Sequence, residues 1–138
     1  MKPLKIYISG PYSAPTPEGR LANTEYAIMM GIQVFLKGHY PYIPHLTHYV
    51  DELAHRSGIP LRWEDYMDMD LLWLECCDAI LFLKESRGAK LELQYARKLG
   101  KQVFHSVNEI QTINPRHHTL RRLKDFLEEN NWGGVIEG

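Results

Sequence analysis

Short β-rich segments alternate with helical segments along this chain, and that order limits the folds it can adopt. The β-rich segments end at glycine, proline or a polar turn, and the segments between them carry apolar residues at the spacing of one helix face. The predicted strands are residues 4–9, 40–43, 79–83 and 101–105. The predicted helices are residues 20–37, 46–56, 63–76, about 88–100 and 117–130.

Strands that alternate with helices are typical of a parallel sheet with helices on both faces. We therefore expect a three-layer α/β/α fold of the Rossmann or flavodoxin-like type, with a mainly parallel sheet of four to five strands. A chain of 138 residues with 44% hydrophobic content is large enough for one core and too small for two. We expect a single domain over residues 1–138, in which residues 113–138 form a C-terminal helix and tail.

The charge balance indicates a small partner. The formal net charge is -1, so no overall field attracts the chain to nucleic acid or to an anionic membrane. No apolar run reaches the roughly 20 residues of a membrane span, and the chain begins without a signal-peptide pattern. We expect a cytoplasmic protein with no nucleic-acid or membrane partner. Cys76 and Cys77 are adjacent, which makes a disulfide between them implausible, and we expect buried thiols.

Two acids flank the third predicted strand. Asp70 lies on the preceding helix, in an apolar stripe where its carboxylate must be paired, hydrogen-bonded, protonated or solvated at the helix edge. Its neighbours on that face are Tyr66, Trp73, Leu74 and Cys77. Glu92 is predicted in the first turn of the next helix, where ligands of parallel sheets bind. Paired acids there favour acid, base or nucleophile chemistry, although the helix dipole favours an acid in a first turn whatever the function.

The end of the first strand is a second candidate ligand site. Gly10-Pro11 follows the strand directly, and Ser9, Ser13 and Arg20 could hold a sugar or a 5′-phosphate together with backbone N–H groups. The glycine spacing is neither that of a Walker loop nor that of a dinucleotide fingerprint. An ordinary strand-to-helix turn is the alternative interpretation.

Tyr7 alternates with Ile6 and Ile8 in the first strand, so it faces the opposite side of the sheet from them. Its hydroxyl could reach a neighbouring carboxylate. Alternatively, the ring is simply buried and the hydroxyl bonds to any available partner.

The histidines near the second strand suggest two alternatives. His45 and His48, with Asp51, have some likeness to a metal site, but a further ligand is not supplied nearby and the pattern is not that of zinc hydrolases. We expect no metal and keep a metal hydrolase as a weaker alternative. His45, directly after a strand, is better interpreted as a hydrogen-bonding residue of a pocket, whereas His48 and His55 are expected to be exposed.

An ordered set of motifs then resembles the nucleoside 2-deoxyribosyltransferase superfamily, which includes deoxynucleoside 5′-monophosphate N-hydrolases and CMP N-glycosidases. The resemblance covers about residues 4–105. It is carried by Tyr7, Gly10-Pro11, Asp70 eight residues before Asp78, Gly88-Ala89-Lys90-Leu91-Glu92, Ala96 and Gly100-Lys101.

The resemblance implies a role for each of three residues. Glu92 would be the nucleophile, Asp70 would meet the departing base, and Tyr7 would orient Glu92. Such residues suit an N-glycosidic bond, which breaks through an oxocarbenium-like state that a carboxylate can stabilise and trap as an ester. An apolar setting would raise the pKa of Asp70, and a helix N-terminus would favour ionised Glu92. No cofactor is expected.

The resemblance also suggests the substrate. Deoxyribosyltransferases commonly carry an acid six residues before the nucleophile, and Ser86 stands there, which disfavours base exchange. Ser86-Arg87-Gly88 at a helix start favours an anion, and hence a nucleoside 5′-monophosphate over a nucleoside. The predicted substrate-binding residues are Ser9, Gly10, Pro11, Tyr12, Arg20, His45, Ser86, Arg87 and Gly88, and the candidates for contact with the base are Tyr12, Tyr42, His45 and Trp63.

We therefore predict an N-glycoside hydrolase that acts on a (deoxy)ribonucleoside 5′-monophosphate. The resemblance implies a homodimer or higher homo-oligomer whose pocket is completed across the interface. Two alternatives stay open. One is base exchange by a nucleoside 2-deoxyribosyltransferase, and the other is a non-catalytic module that binds or senses a nucleotide or an ADP-ribose derivative.

Overall fold

The computed structural model describes residues 2–113 and 115–131, and every predicted helix and strand is present with small shifts at its ends. In chain order the elements are β1 (Lys5–Ser9), α1 (Pro17–Leu36), β2 (Tyr40–Tyr42), α2 (Thr47–Arg56), α3 (Trp63–Glu75), β3 (Ala79–Phe82), α4 (Arg87–Lys98), β4 (Gln102–Phe104) and α5 (Pro115–Glu129). Short 3-10 turns at Pro44–Leu46 and Val107–Glu109 precede α2 and follow β4. The predicted tail after residue 131 lies outside the described residues.

The sheet is parallel throughout, with the strand order β2-β1-β3-β4. Tyr7 of β1 is in register with Tyr42 of β2 on one side and with Ile80 of β3 on the other. The chain leaves β1 toward β2 and later returns to β3 on its other side. The carboxyl ends of β1 and β3 therefore flank a switch point, where a crevice opens in sheets of this kind.

Side-chain alternation in β1 divides the core between the two faces of the sheet. Ile6 and Ile8 pack with Ala27 and Val34 of α1, whereas Tyr7 packs with Leu74 of α3 and Ala96 of α4. The predicted alternation is confirmed. With α1 on one face and α3 and α4 on the other, the predicted three-layer α/β/α architecture is confirmed as well.

The ends of α1 and α4 follow from local sequence. Thr16 Oγ1 accepts a hydrogen bond from the Gly19 N–H at 3.1 Å, and Pro17 occupies the first helical position. Gly38 (φ 97°) and Gly100 (φ 72°) follow the two helices in the left-handed region, which a residue without Cβ adopts readily.

The cysteines differ from the prediction. Cys77 is buried in the core between α3 and the sheet, but Cys76 is exposed. The prediction was wrong for Cys76 because adjacent residues at the end of α3 face opposite directions. Among the described helices, none has the length and apolar composition that a membrane crossing requires.

Candidate active site

A cavity of about 530 Å³ opens at the carboxyl ends of the strands. Its walls come from the loop after β1, from α2 with the turn before it, from α3, and from the first turns of α4. Its polar lining includes Tyr12, His45, Thr47, Asp51, Tyr66, Asp70, Ser86, Arg87 and Glu92. Both acids singled out in the sequence therefore face one cavity.

Glu92 is held by two hydroxyl groups of β1. The residue is 5% exposed, Tyr7 donates a hydrogen bond to Oε2, and Ser9 Oγ donates to Oε1 at 2.7 Å. Tyr7 and Ser9 are two residues apart, so their side chains leave the strand on the same face. Both carboxylate oxygens are thereby fixed in one orientation.

The position of Glu92 in its helix corrects one prediction. α4 begins at Arg87, so Glu92 lies in the second turn and beyond the strongest influence of the helix N-terminus. Burial raises the pKa of Glu92 to about 7, and the hydrogen bonds from Tyr7 and Ser9 oppose that rise. Burial, and then the charge of Glu92, hold the pKa of the Tyr7 hydroxyl well above its usual value. Two hydroxyl donors, rather than the helix dipole, stabilise the ionised acid.

Asp70 is buried, and one oxygen of its carboxyl group is unpaired among the described residues. It is 7% exposed, and its Oδ1 has no hydrogen-bond partner within residues 2–113 and 115–131. Burial, and then the charge of Glu92, raise the pKa of Asp70 to about 8. The predicted direction is confirmed. Near neutral pH, Glu92 can be ionised while Asp70 keeps its proton.

The start of α4 forms a cationic end of the cavity. The guanidinium carbon of Arg87 lies 4.2 Å from the ring centroid of Trp63, which fixes the side chain by a cation–π contact. Ser86 Oγ accepts from the Ala89 N–H at 3.1 Å and caps the helix. The N–H groups of Arg87 and Gly88 begin the helix and have no intrahelical acceptor. This end can therefore bind an anion.

Two histidines organise the opposite side. His45 Nε2 donates to the carbonyl oxygens of Gly10 and Pro11 at 3.0 and 3.1 Å, and burial lowers the pKa of this imidazole. His48 is 4% exposed and bonds to Tyr12 and Glu52. The prediction of an exposed His48 was wrong because Tyr12, from the distant loop after β1, covers it.

A family model described as Domain of unknown function (DUF4406) matches residues 4–105. The chain belongs to this DUF4406 family. No curated protein and no solved structure matches the chain. The matched region of the DUF4406 chain contains the strands β1 to β4 described above and every cavity residue discussed, whereas α5 lies beyond it.

The structure brings six of the nine predicted substrate-binding residues to the cavity. These are Gly10, Tyr12, His45, Ser86, Arg87 and Gly88. Three others are not among the described lining residues. Ser9 bonds to Glu92, the carbonyl of Pro11 accepts from His45, and Arg20 Nη1 donates to the carbonyl of Ala14 at 3.2 Å.

Of the residues predicted to contact the base, some line the cavity and others do not. Trp63 lines the cavity of the DUF4406 domain. Tyr42 instead packs between Tyr7 and Trp73, with ring centroids 5.7 and 5.6 Å away. Its aromatic surface is therefore occupied by neighbouring rings.

Sequence reasoning missed the pairing of α2 with α3. Tyr66 donates its hydroxyl hydrogen bond to Asp51 Oδ1 at 2.8 Å, and both residues line the cavity. The spacing of Tyr66 and Asp70, four residues apart on one helix face, placed Tyr66 beside the acid but gave no signal for its contact with Asp51. In the part of the chain that the structure describes, no three His, Cys, Asp or Glu residues are placed to hold a metal ion, so His45, His48 and Asp51 do not form such a site.

Proposed function

We propose that this chain is an N-glycoside hydrolase that cleaves the base–sugar bond of a (deoxy)ribonucleoside 5′-monophosphate. The observation that carries the proposal is the pairing of two buried acids in one cavity. Glu92 is oriented by Tyr7 and Ser9, and Asp70 carries a raised pKa beside it. One acid is prepared to act as a carboxylate and the other as a proton donor.

In the first step, the ionised carboxylate of Glu92 attacks C1′ of the sugar while the C1′–N bond breaks. The electron pair of that bond leaves with the base, and the base nitrogen takes the proton of Asp70. A glycosyl ester on Glu92 and a carboxylate on Asp70 result. Tyr7 and Ser9 keep the carboxylate in position as its charge is consumed.

In the second step, water attacks C1′ and the ester bond to Glu92 breaks. The ionised Asp70 accepts a proton from that water, and Glu92 leaves as a carboxylate. Sugar phosphate and free base are the products, and both acids return to their starting states.

The 5′-phosphate is assigned to the cationic end of the cavity. Arg87 and Glu92 are five residues apart on α4, which is about 7.5 Å along the helix axis at about 1.5 Å per residue. A phosphate bound near Arg87 would therefore lie next to the Glu92 carboxylate without occupying its position. The Arg87 side chain, already fixed by Trp63, would lose little freedom on binding phosphate.

Ser86 supports hydrolysis over base exchange. It stands where deoxyribosyltransferases commonly carry an acid, and it caps α4 through the Ala89 N–H. Adding a second free base to the reaction tests this directly. Base exchange would produce a new nucleotide, whereas hydrolysis releases sugar phosphate and free base and forms no new nucleotide.

We also propose that the chain forms a homodimer or higher homo-oligomer in the cytoplasm. Apolar side chains on α2, next to the cavity wall, support this proposal, because Tyr49, Val50 and Leu53 are 46%, 52% and 57% exposed. A second copy that covers them would remove this surface from water. Light scattering of the purified chain measures the assembly.

Release of free base from nucleoside monophosphates is the test of the proposed reaction. Wild-type protein should release base, detected by chromatography, and Glu92→Gln should reduce the rate by about a thousandfold or more, since it removes the nucleophile. Glu25→Gln, at an exposed position of α1 in the other layer, is the matched control and should keep the wild-type rate. Nucleotides that stay intact throughout would contradict the proposal.

A further inference from the structure

One wall of the cavity presents hydrogen-bond acceptors to a ligand, because its hydroxyl groups already donate their protons to other groups of the protein. This acceptor wall consists of Tyr12, Thr47, Asp51 and Tyr66. Thr47 Oγ1 donates to the carbonyl oxygen of Pro44 at 2.8 Å, and the Tyr66 hydroxyl donates to Asp51 Oδ1 at 2.8 Å. Each hydroxyl oxygen keeps its lone pairs, and ionised Asp51 has no proton to donate.

The proton of the Tyr12 hydroxyl is used in a hydrogen-bond chain that runs through His48 to Glu52. Glu52 Oε1 lies 2.9 Å from His48 Nε2, and a carboxylate can only accept, so this ring nitrogen carries the proton. In the neutral imidazole, Nδ1 is then an acceptor. In this tautomer, the Tyr12 hydroxyl, 2.7 Å away, donates to Nδ1. Tyr12 is left as an acceptor toward any ligand.

His45 adds a related observation on the same side of the cavity. Its Nε2 proton is used by the carbonyl oxygens of Gly10 and Pro11, which leaves Nδ1 as an acceptor. That atom is buried and no described residue hydrogen-bonds to it. The residue as a whole is 5% exposed. Of the other polar lining residues near this wall, Ser13 is exposed at the rim.

The two ends of the cavity are therefore opposite in hydrogen-bonding character. The end at α4 offers the guanidinium of Arg87 and free helix N–H groups, which are donors. The acceptor wall offers lone pairs. A ligand that covers this wall with another acceptor leaves its half-buried lone pairs unpaired, whereas one that places N–H donors there satisfies them.

We propose that the acceptor wall selects a nucleobase with an exocyclic amino group, cytosine or adenine, over the keto counterparts uracil and hypoxanthine. The inference rests on the proposed function for the location of the base. Tyr66 lies one turn before Asp70 on the same face of α3, so the wall adjoins the acid that meets the departing base. An amino group brings two donors to neighbouring acceptors, whereas a keto base brings one ring N–H donor and sets its keto oxygen, a further acceptor, beside the wall.

Calorimetry with matched nucleotide pairs tests the inference. CMP and UMP differ at one edge of the base: cytosine carries an amino group beside an acceptor ring nitrogen, whereas uracil carries a keto oxygen beside a ring N–H. AMP and IMP differ in the same way. In the Glu92→Gln protein, which does not consume the ligand, CMP and AMP should bind about tenfold to about a hundredfold more tightly than UMP and IMP. The ratio of kcat/KM values in the wild-type protein should favour the same member of each pair. Equal values for both members would overturn the inference.

A substitution in the wall makes the test more specific. Asp51→Asn replaces an oxygen acceptor with an amide donor, and it should reduce the amino-to-keto preference by about tenfold. Asp68→Asn, on the exposed side of α3, makes the same chemical change away from this cavity and should leave the ratio unchanged. Because each ratio is measured within one protein preparation, partial loss of folded protein does not alter it. If Asp51→Asn and wild-type protein have the same amino-to-keto preference, the proposed role of the acceptor wall is contradicted.

The outcomes separate this inference from the proposed function. An amino preference in binding without release of base would support the acceptor wall and contradict the hydrolase. Release of base at equal kcat/KM from amino and keto substrates would support the hydrolase and contradict the wall. Failure of all four nucleotides to bind would contradict both.

Discussion

The hydroxyl of Tyr7 on β1 donates a hydrogen bond to the carboxylate of Glu92 on α4, across 85 residues of sequence. Ser9, on the same face of the strand, donates to the other oxygen at 2.7 Å. Because both of its oxygens are held by hydrogen bonds, the carboxylate has one orientation in the cavity. The pair thereby joins the first strand of the sheet to the proposed nucleophile.

Removal of the Tyr7 hydroxyl tests this relationship. Tyr7→Phe deletes a hydrogen bond that lowers the pKa of Glu92, so the acid limb of the pH–rate profile should move to higher pH. We expect the rate of base release near neutral pH to fall by about tenfold to about a hundredfold. Tyr95→Phe removes the exposed hydroxyl that bonds Glu75 at 2.5 Å and is the matched control. A Tyr7→Phe profile that overlays that of wild type would show that the hydroxyl does not act on Glu92.

The two acids predict a bell-shaped pH dependence of kcat/KM. Activity should rise as Glu92 ionises, with a pKa of about 7, and fall as Asp70 loses its proton, with a pKa of about 8. Because the charges interact, the two apparent values belong to the pair. Asp70→Asn should lower the rate strongly and remove the alkaline limb. A flat profile across this range would argue against the assigned roles.

Burial of Asp70 predicts a pH-dependent stability difference. The folded-state pKa of about 8 lies above the ordinary value of 3.8, so between these values the folded state binds the proton more strongly than the unfolded state. Stability contributed by the protonated group is therefore lost as pH rises toward 8. Asp70→Asn, which stays neutral, should have a free energy of unfolding that exceeds that of wild type increasingly with pH across this window, by no more than about 6 kcal/mol, since one pKa unit is worth about 1.4 kcal/mol. Its Tm should rise relative to wild type in the same direction. A constant Tm difference from acid to alkaline pH would contradict the assignment.

The cationic end of the cavity predicts selective loss of phosphate binding. Arg87→Ala should raise KM for nucleoside monophosphates by about tenfold to about a hundredfold, because a charge-assisted hydrogen bond is lost, with little change for the matching nucleosides. Arg97→Ala, at the exposed far end of α4, is the control. An equal loss for nucleosides and monophosphates would place the phosphate elsewhere.

The fold could be predicted from the sequence because its signals are local. Glycines after α1 and α4, apolar strands, and the alternation of Tyr7 with Ile6 each act over a few residues. The predicted three-layer parallel sheet follows from their order alone. Glu92 was predicted in the first turn of α4. Ser86 caps the helix and Arg87 is its first residue, so Glu92, five residues later, lies in the second turn.

The lining of the cavity could not be predicted in full, because it depends on contacts between residues that are distant in the sequence. His48 is buried because Tyr12 reaches it from a loop 36 residues earlier. Asp51 enters the cavity because α2 and α3 meet through Tyr66. Neither contact has a periodic pattern, so only the folded chain reveals the acceptor wall.

Mass spectrometry of a trapped reaction tests the central claim most directly. Wild-type protein quenched during turnover of a nucleoside monophosphate, and then digested, should carry a sugar-phosphate adduct on the peptide that contains Glu92, and Glu92→Gln should carry none. An adduct on a different residue, or base release at the wild-type rate by Glu92→Gln, would contradict the account.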